Sequence, residues 1–238
     1  ERLFDHVLFP AALLNQLRIS EIMYQPVAPV SAGDNEFIEL VNIGTAALDL
    51  GGVRFTNGLD YTFSAGTTLA AGSFVVVAKN RTAFAARYPA AVAALAPGQF
   101  TGALDNSGET IALTLPAPWE VHVLSFRFES TWSALASGGG HSLVARSSAT
   151  TAARDWDKRS TWRASTAAQG NPGAADPGGT SIALGHPASV TTTAGNLTAL
   201  SVRATSDSAI AYQWQILTDG RWVNLAGAIA AGYTLPST

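Results

Sequence analysis

Hydrophobic and polar positions alternate in short bursts along most of this chain. The segment LRISEIMY sets the pattern. Leu17, Ile19, Glu21 and Met23 fall on one face of an extended stretch, and Arg18, Ser20, Ile22 and Tyr24 on the other. EFIELVNI, LDLGGVRFTN, LDYTFS and SFVVVAKN follow, separated by glycine-containing turns such as Asn57-Gly58 and Ala70 to Gly72. One helical interlude, NRTAFAARYPAAVAAL, interrupts the series; Asn80 or Thr82 can cap it and Pro89 ends or bends its first part. Strand patterns resume with QFTGALDN, ETIALTL, EVHVLSFRF and HSLVARS. Ahead of them all, ERLFDHVLFPAALLNQL has apolar residues at Leu3, Phe4, Val7 and Leu8, a helical spacing broken at Pro10. Short strands with turns every 8–12 residues or so predict an all-β antiparallel sandwich with one short helical insertion.

The stretch DNEFIELVNIG places several acidic and amide groups inside an apolar run. In a strand, Glu36, Ile38 and Leu40 share one face while Phe37, Glu39 and Val41 share the other. Glu36 and Glu39 therefore diverge and form no carboxylate pair. Asp34 and Asn35 belong to the preceding turn, where such side chains bond the backbone. Glu39, flanked by apolar residues, needs a partner, and Arg54 on a nearby strand is the expected one.

From Ser147 the texture changes to Ser, Thr, Ala, Gly and Pro, ending in GNPGAADPGG, a linker by composition. Trp156 and Trp162 stand out there as residues that pin a loop onto a sheet, each indole N–H reaching a partner. A second β pattern begins near Ile182, with a hairpin expected at Asp219-Gly220. Its four strands are too few to cover both faces of a sandwich, so it reads as the start of a second unit.

Composition narrows the function classes. Charged residues make up 13% of the 238, below the roughly 25% of an average domain. The net charge of -3 argues against binding driven by nucleic-acid phosphates. There is no cysteine, which removes disulfides, thiolate metal sites and thiol nucleophiles. No apolar run approaches the length of a membrane span. The chain opens on Glu1 without a leader pattern and reads as a piece of a longer polypeptide.

Together these motifs carry a family resemblance. LRISEIMYQP, then DNEFIELVNIGTAALDLGGVRFTNG and YTFSAGTTLAAGSFVVVAKN, resemble the bacterial lamin tail domain. GQFTGALDNSGETIALTLP, Trp132, GGGHSLVAR and STWRASTAAQGNPGAAD extend the likeness to about Asp176. One departure is PAPWEVHVLSFRF, which stands where the family tends to a D-x-V-x-Y strand and carries His122 and Phe126. The resemblance implies an immunoglobulin-like sandwich without catalytic activity, an accessory module of large exported or cell-surface bacterial proteins. YQWQ and DGRWVNLAGAIAAGYTL resemble a bacterial immunoglobulin-like repeat without its cysteines, Trp214 packing against apolar side chains instead. The expected organisation is a helical extension of an upstream region at 1–16, a lamin-tail-like sandwich at 17–176, a linker at 177–186 and a partial immunoglobulin-like domain at 187–238.

Candidate chemistry is sparse. His6, His122, His141 and His186 lack metal-ligand spacing. GGGHS has no accompanying nucleophile turn, and LDNSGET reads as a hairpin turn. No catalytic residue is assigned and no cofactor is expected. The one metal reading is calcium at Asp34, Asn35 and Glu36, whose spacing fits no standard loop. If a ligand binds, the exposed-aromatic candidates are Trp156 and Trp162 of the polar RDWDKRSTWR patch, together with Trp119. The expected function is an interaction or spacer module whose partners are neighbouring domains of its polypeptide or a cell-surface protein. The alternative is a polysaccharide-binding module. Buried Trp156, Trp162 and Trp119 would remove the basis of that alternative.

Overall fold

The computed structural model describes residues 10–27, 35–177, 182–185, 189–191, 193, 198–206 and 209–235. Two compact units divide the chain, Glu1–Gly179 and Thr180–Thr238.

The first unit opens with α1 (Ala11–Gln16), followed directly by β1 (Leu17–Met23) and then β2 (Phe37–Asn42). The stretch LDLGGVRFTN splits into β3 (Leu48–Asp49) and β4 (Arg54–Asn57), because Gly52 at φ 77 turns the chain between them. β5 (Tyr61–Thr62), β6 (Thr68–Leu69) and β7 (Phe74–Ala78) follow. Next comes α2 (Arg81–Arg87), whose first turn is capped by the Asn80 side chain accepting from the Ala83 N–H. Pro89 ends α2 and begins a 3-10 segment to Ala94. β8 (Thr110–Thr114), β9 (His122–Arg127), β10 (Leu143–Ala145) and β11 (Trp162–Ala164) complete the unit. QFTGALDN forms no strand: Thr101 makes only an isolated bridge to Asp60, while Phe100 and Leu104 are buried as plugs.

Two antiparallel sheets form an immunoglobulin-like sandwich. The first runs β11-β10-β1-β2-β7, the second β5-β4-β8-β9, and β3 pairs with β6. Leu17, Ile19, Ile38 and Leu40 of the first sheet meet Phe55, Ile111, Leu113 and Phe126 of the second in one core. At about 25 cal/mol per Å² of apolar area, a core of this kind supplies the main drive to fold. The outer face of the first sheet is covered in turn. Phe84 and Ala91 lie over Met23, Phe37, Val76 and Ala78 there, with Phe84 and Tyr88 each edge-on to Phe37 at 5.6 Å.

The β1–β2 ladder is irregular. Ile19 pairs with Leu40 but Glu21 pairs with Glu39, so Ser20 is an extra residue on β1. This bulge shifts the alternation of β1 by one. Leu17 and Ile19 face the main core, and so do Ile22 and Tyr24. The uninterrupted period of two predicted for LRISEIMY therefore fails at Ser20, and Glu21 changes neighbours.

The second unit contains β12 (Ile182–Gly185) paired with β14 (Arg203–Ser206), and β13 (Thr198–Ser201) paired with β17 (Gly232–Leu235). β15 (Gln215–Thr218) and β16 (Arg221–Asn224) form the expected hairpin, with Asp219 at φ 50 and Gly220 at φ 74. Trp214 stacks on Tyr233 with centroids 6.0 Å apart and donates its indole N–H to Ala230 O.

Candidate functional site

The bulge creates the most unusual chemistry in the molecule. Glu21 and Glu39 stand opposite each other on the outer face of the first sheet, both 1% exposed. Ser20 Oγ donates to Glu39 Oε1 at 2.6 Å, and Ser142 Oγ to Glu21 Oε1 at 2.5 Å. Among the described residues neither carboxylate forms an ion pair. Burial raises Glu21 to about 7, further pushed up by the nearby Asp176 charge, while its hydrogen bonds and Arg163 pull it down. Burial, and then the charge of Glu21, holds Glu39 well above the usual carboxylate range. Burial thus biases both carboxyls toward the protonated form.

A strap of chain closes over these two groups. Asn171 N–H donates to Glu21 Oε1 at 3.0 Å and Gly173 N–H to Glu39 Oε2 at 2.6 Å. Gly170 sits so close that a Cβ there would lie 2.1 Å from Glu21 Oε1, so the approach requires glycine. The strap is fastened at both ends. At its start, Ser165 N–H donates to Ser142 O, His141 Nδ1 to Ser165 O and Gln169 N–H to Gly140 O. At its end, Asp176 pairs with Arg163 at 2.5 Å and accepts from the Thr166 N–H and hydroxyl. Tyr88, just after α2, donates to Gln169 O in between. The composition GNPGAAD thus forms a built cover as far as Asp176 rather than free linker.

Beside the strap lies a groove of about 520 Å³. Val41, Phe74, Val144, Glu21, Glu39, Arg146 and Arg163 are among the residues that line it. The two ends of the site are tied to the core by tryptophan. Trp156 donates its indole N–H to Ile19 O, the carbonyl next to the bulge, and Trp162 donates to Trp156 O. Arg18 lies over the Trp156 ring, 5.7 Å from its centroid.

The sequence-predicted residues are distributed otherwise. Trp156 and Trp162 are buried, 0% and 2% exposed, so neither offers an open face for stacking. Trp119 is half-buried against the main core. Asp34 lies outside the described residues. Asn35 is buried, and Glu36 binds Lys79 Nζ at 3.3 Å and the Leu104 N–H at 2.8 Å. Among the described residues no group of three or more His, Asp or Glu side chains could hold a metal. Arg54 is not the partner of Glu39: it pairs with Glu120, and Glu39 relies on Ser20 and Gly173 instead. His122 shares a hydrogen bond with Thr114 on the neighbouring strand; His6 and His186 lie outside the described residues. Glu36 and Glu39 do diverge, as period-two geometry requires, but Glu39 meets Glu21 from the next strand. Sequence reasoning missed that pair because a one-residue bulge leaves no mark in the hydrophobic pattern.

The model of the Lamin Tail Domain family matches residues 10–127, which carry α1 through β9 together with Glu21 and Glu39. No curated protein and no solved structure matches the chain.

Proposed function

We propose, from the premise that residues 10–127 are a lamin tail domain, that this chain is an interaction or spacer module of a large exported or cell-surface bacterial protein. The domain itself is an immunoglobulin-like, noncatalytic interaction module. What supports the noncatalytic part of this reading is the burial of Glu21 and Glu39, a carboxylate pair among the described residues. Each member is buried, bonded to a serine hydroxyl and covered by a strap N–H. A general acid or base must reach the proton it transfers, and these two groups spend their hydrogen-bonding capacity on holding the fold.

A rigid sandwich of this kind transmits position. Its loops and its groove are held on two packed sheets, which suits presentation of a surface to a neighbouring domain or a protein partner. For the polysaccharide alternative, Trp156 and Trp162 are inside and offer no open face, while Trp119 is half-buried.

The reading is tested on cells of a bacterium that makes the protein. Antibodies to the chain should label intact cells, and protease added outside should remove the signal. Labelling that appears only after lysis would contradict an exported or surface role. Exchange of the first unit for an unrelated sandwich of the same length separates the two roles: a spacer tolerates it, an interaction surface does not.

A further inference from the structure

We propose that the strap from Ser165 to Asp176 is a proton-held latch: it stays closed over Glu21 and Glu39 while the pair keeps a proton, and it opens to admit water when that proton is lost.

The geometry carries the argument. Two carboxyl groups face each other across adjacent strands, buried, with no cationic partner of their own among the described residues. The nearest guanidinium, Arg163, is already paired with Asp176. A second negative charge in this place has only hydroxyl and amide donors to stabilise it, and it faces its neighbour through a medium of low polarity. Two routes relieve that charge: retention of a proton, or water. The sheet side of the pair is closed by β1 and β2 themselves. The strap side is held by single amide hydrogen bonds from Asn171 and Gly173, and it borders the open groove. Water therefore enters by displacing the strap. The ends of the strap carry further bonds, Asp176 to Arg163 and Thr166 and Ser165 to Ser142, so the middle, Gly170 to Gly173, moves while its ends hold.

Other charged and titratable groups surround the pair. Asp176 and Arg163 face Glu21 from the strap and β11. Arg146 lies along the groove. Tyr88 acts on Glu21 from the C-cap of α2, and its hydroxyl, raised by burial to about 12, stays protonated throughout. His141 bonds Ser165 at the root of the strap. Because that bond lies at the strap's root, the test includes His141. The latch holds whichever partner, if any, the module serves.

The test is amide hydrogen exchange on the whole chain, followed residue by residue between pH 5.5 and 8.5 and corrected for intrinsic rates. The protection of Asn171 and Gly173 should fall by about tenfold or more as the pair loses its proton, while amides of β2 and β8 keep theirs. Glu39→Gln and Glu21→Gln, neutral and of the same shape, should each flatten that dependence. His141→Asn should leave it in place. Strap protection that is constant across the range in the wild-type chain overturns the latch, and that reading needs no variant to fold. So does a pH dependence that survives both glutamine substitutions, or one that disappears with His141.

Discussion

Glu21 stands directly across the β1–β2 ladder from Glu39, and both side chains are sealed under backbone amides of the same strap. This pairing sets the pH dependence of stability. Glu21 lies at about 7 in the folded chain against an ordinary 4.5, so the folded state binds more protons than the unfolded one between those values. Stability from this group is fully present below about 4.5 and is lost as pH rises through about 7. Urea denaturation at pH 5 and pH 8.5 should show a loss of up to about 3 kcal/mol on the alkaline side. Stability that rises over that interval would contradict the assignment.

Gly170 is the tightest point of the strap. Its φ of +82 and the 2.1 Å approach of a Cβ to Glu21 Oε1 together disfavour a side chain, because Glu21 is buried and held by its hydrogen bonds. Gly170→Ala should cost about 2 kcal/mol or more through steric conflict and strain. Gly66→Ala is the control, with a similar φ of +78 and open space, and should cost about 1 kcal/mol. Thermal denaturation of the two variants separates contact from strain; equal losses would remove the steric argument.

Trp156 works as a brace for the bulge. Extra residue Ser20 disturbs the ladder, and the indole N–H supplies a donor to Ile19 O beside it. Trp156→Phe keeps much of the apolar bulk but leaves that carbonyl without this donor. The expected cost is about 2 kcal/mol, combining the lost buried hydrogen bond with a small cavity. A loss below about half a kcal/mol in chemical denaturation would mean the brace is dispensable.

These sites show where sequence was readable and where it was not. Phe37–Asn42 alternates cleanly, and its faces, the Asn80 cap and the Asp219-Gly220 hairpin all stand where the residues indicate. Each rests on local rules that a few neighbouring side chains enforce. The Glu21–Glu39 site rests on a bulge, a backbone event that the apolar pattern around Ser20 does not mark. Gly170 and Gly173 read as linker because small residues serve flexible chain and close approach equally well; only the carboxylates beneath them decide which. Arg54 was the nearest cation by sequence order, but Glu39 projects to the covered face and finds Ser20 and Gly173 instead.

Asp176 anchors the far end of the strap through Arg163, with side-chain exposures of 1% and 10%. Asp176→Asn leaves a guanidinium buried without its charge partner, which should cost about 3 kcal/mol. Replacing both partners, as Arg163→Met with Asp176→Leu, should recover much of that loss, since no charge is then left alone. A double variant as unstable as the single one in urea denaturation would argue that the pair's shape matters more than its charge.

Glu21 and Glu39 form a buried pair whose burial favours the protonated form at neutral pH. The most direct measurement is a carbon-13 NMR titration of the glutamate carboxyl carbons, with the two resonances assigned by Glu21→Gln and Glu39→Gln. The account predicts that at least one of them stays protonated at pH 6 and titrates near 7 or above. Both carboxyls losing their protons near the ordinary 4.5 would contradict it.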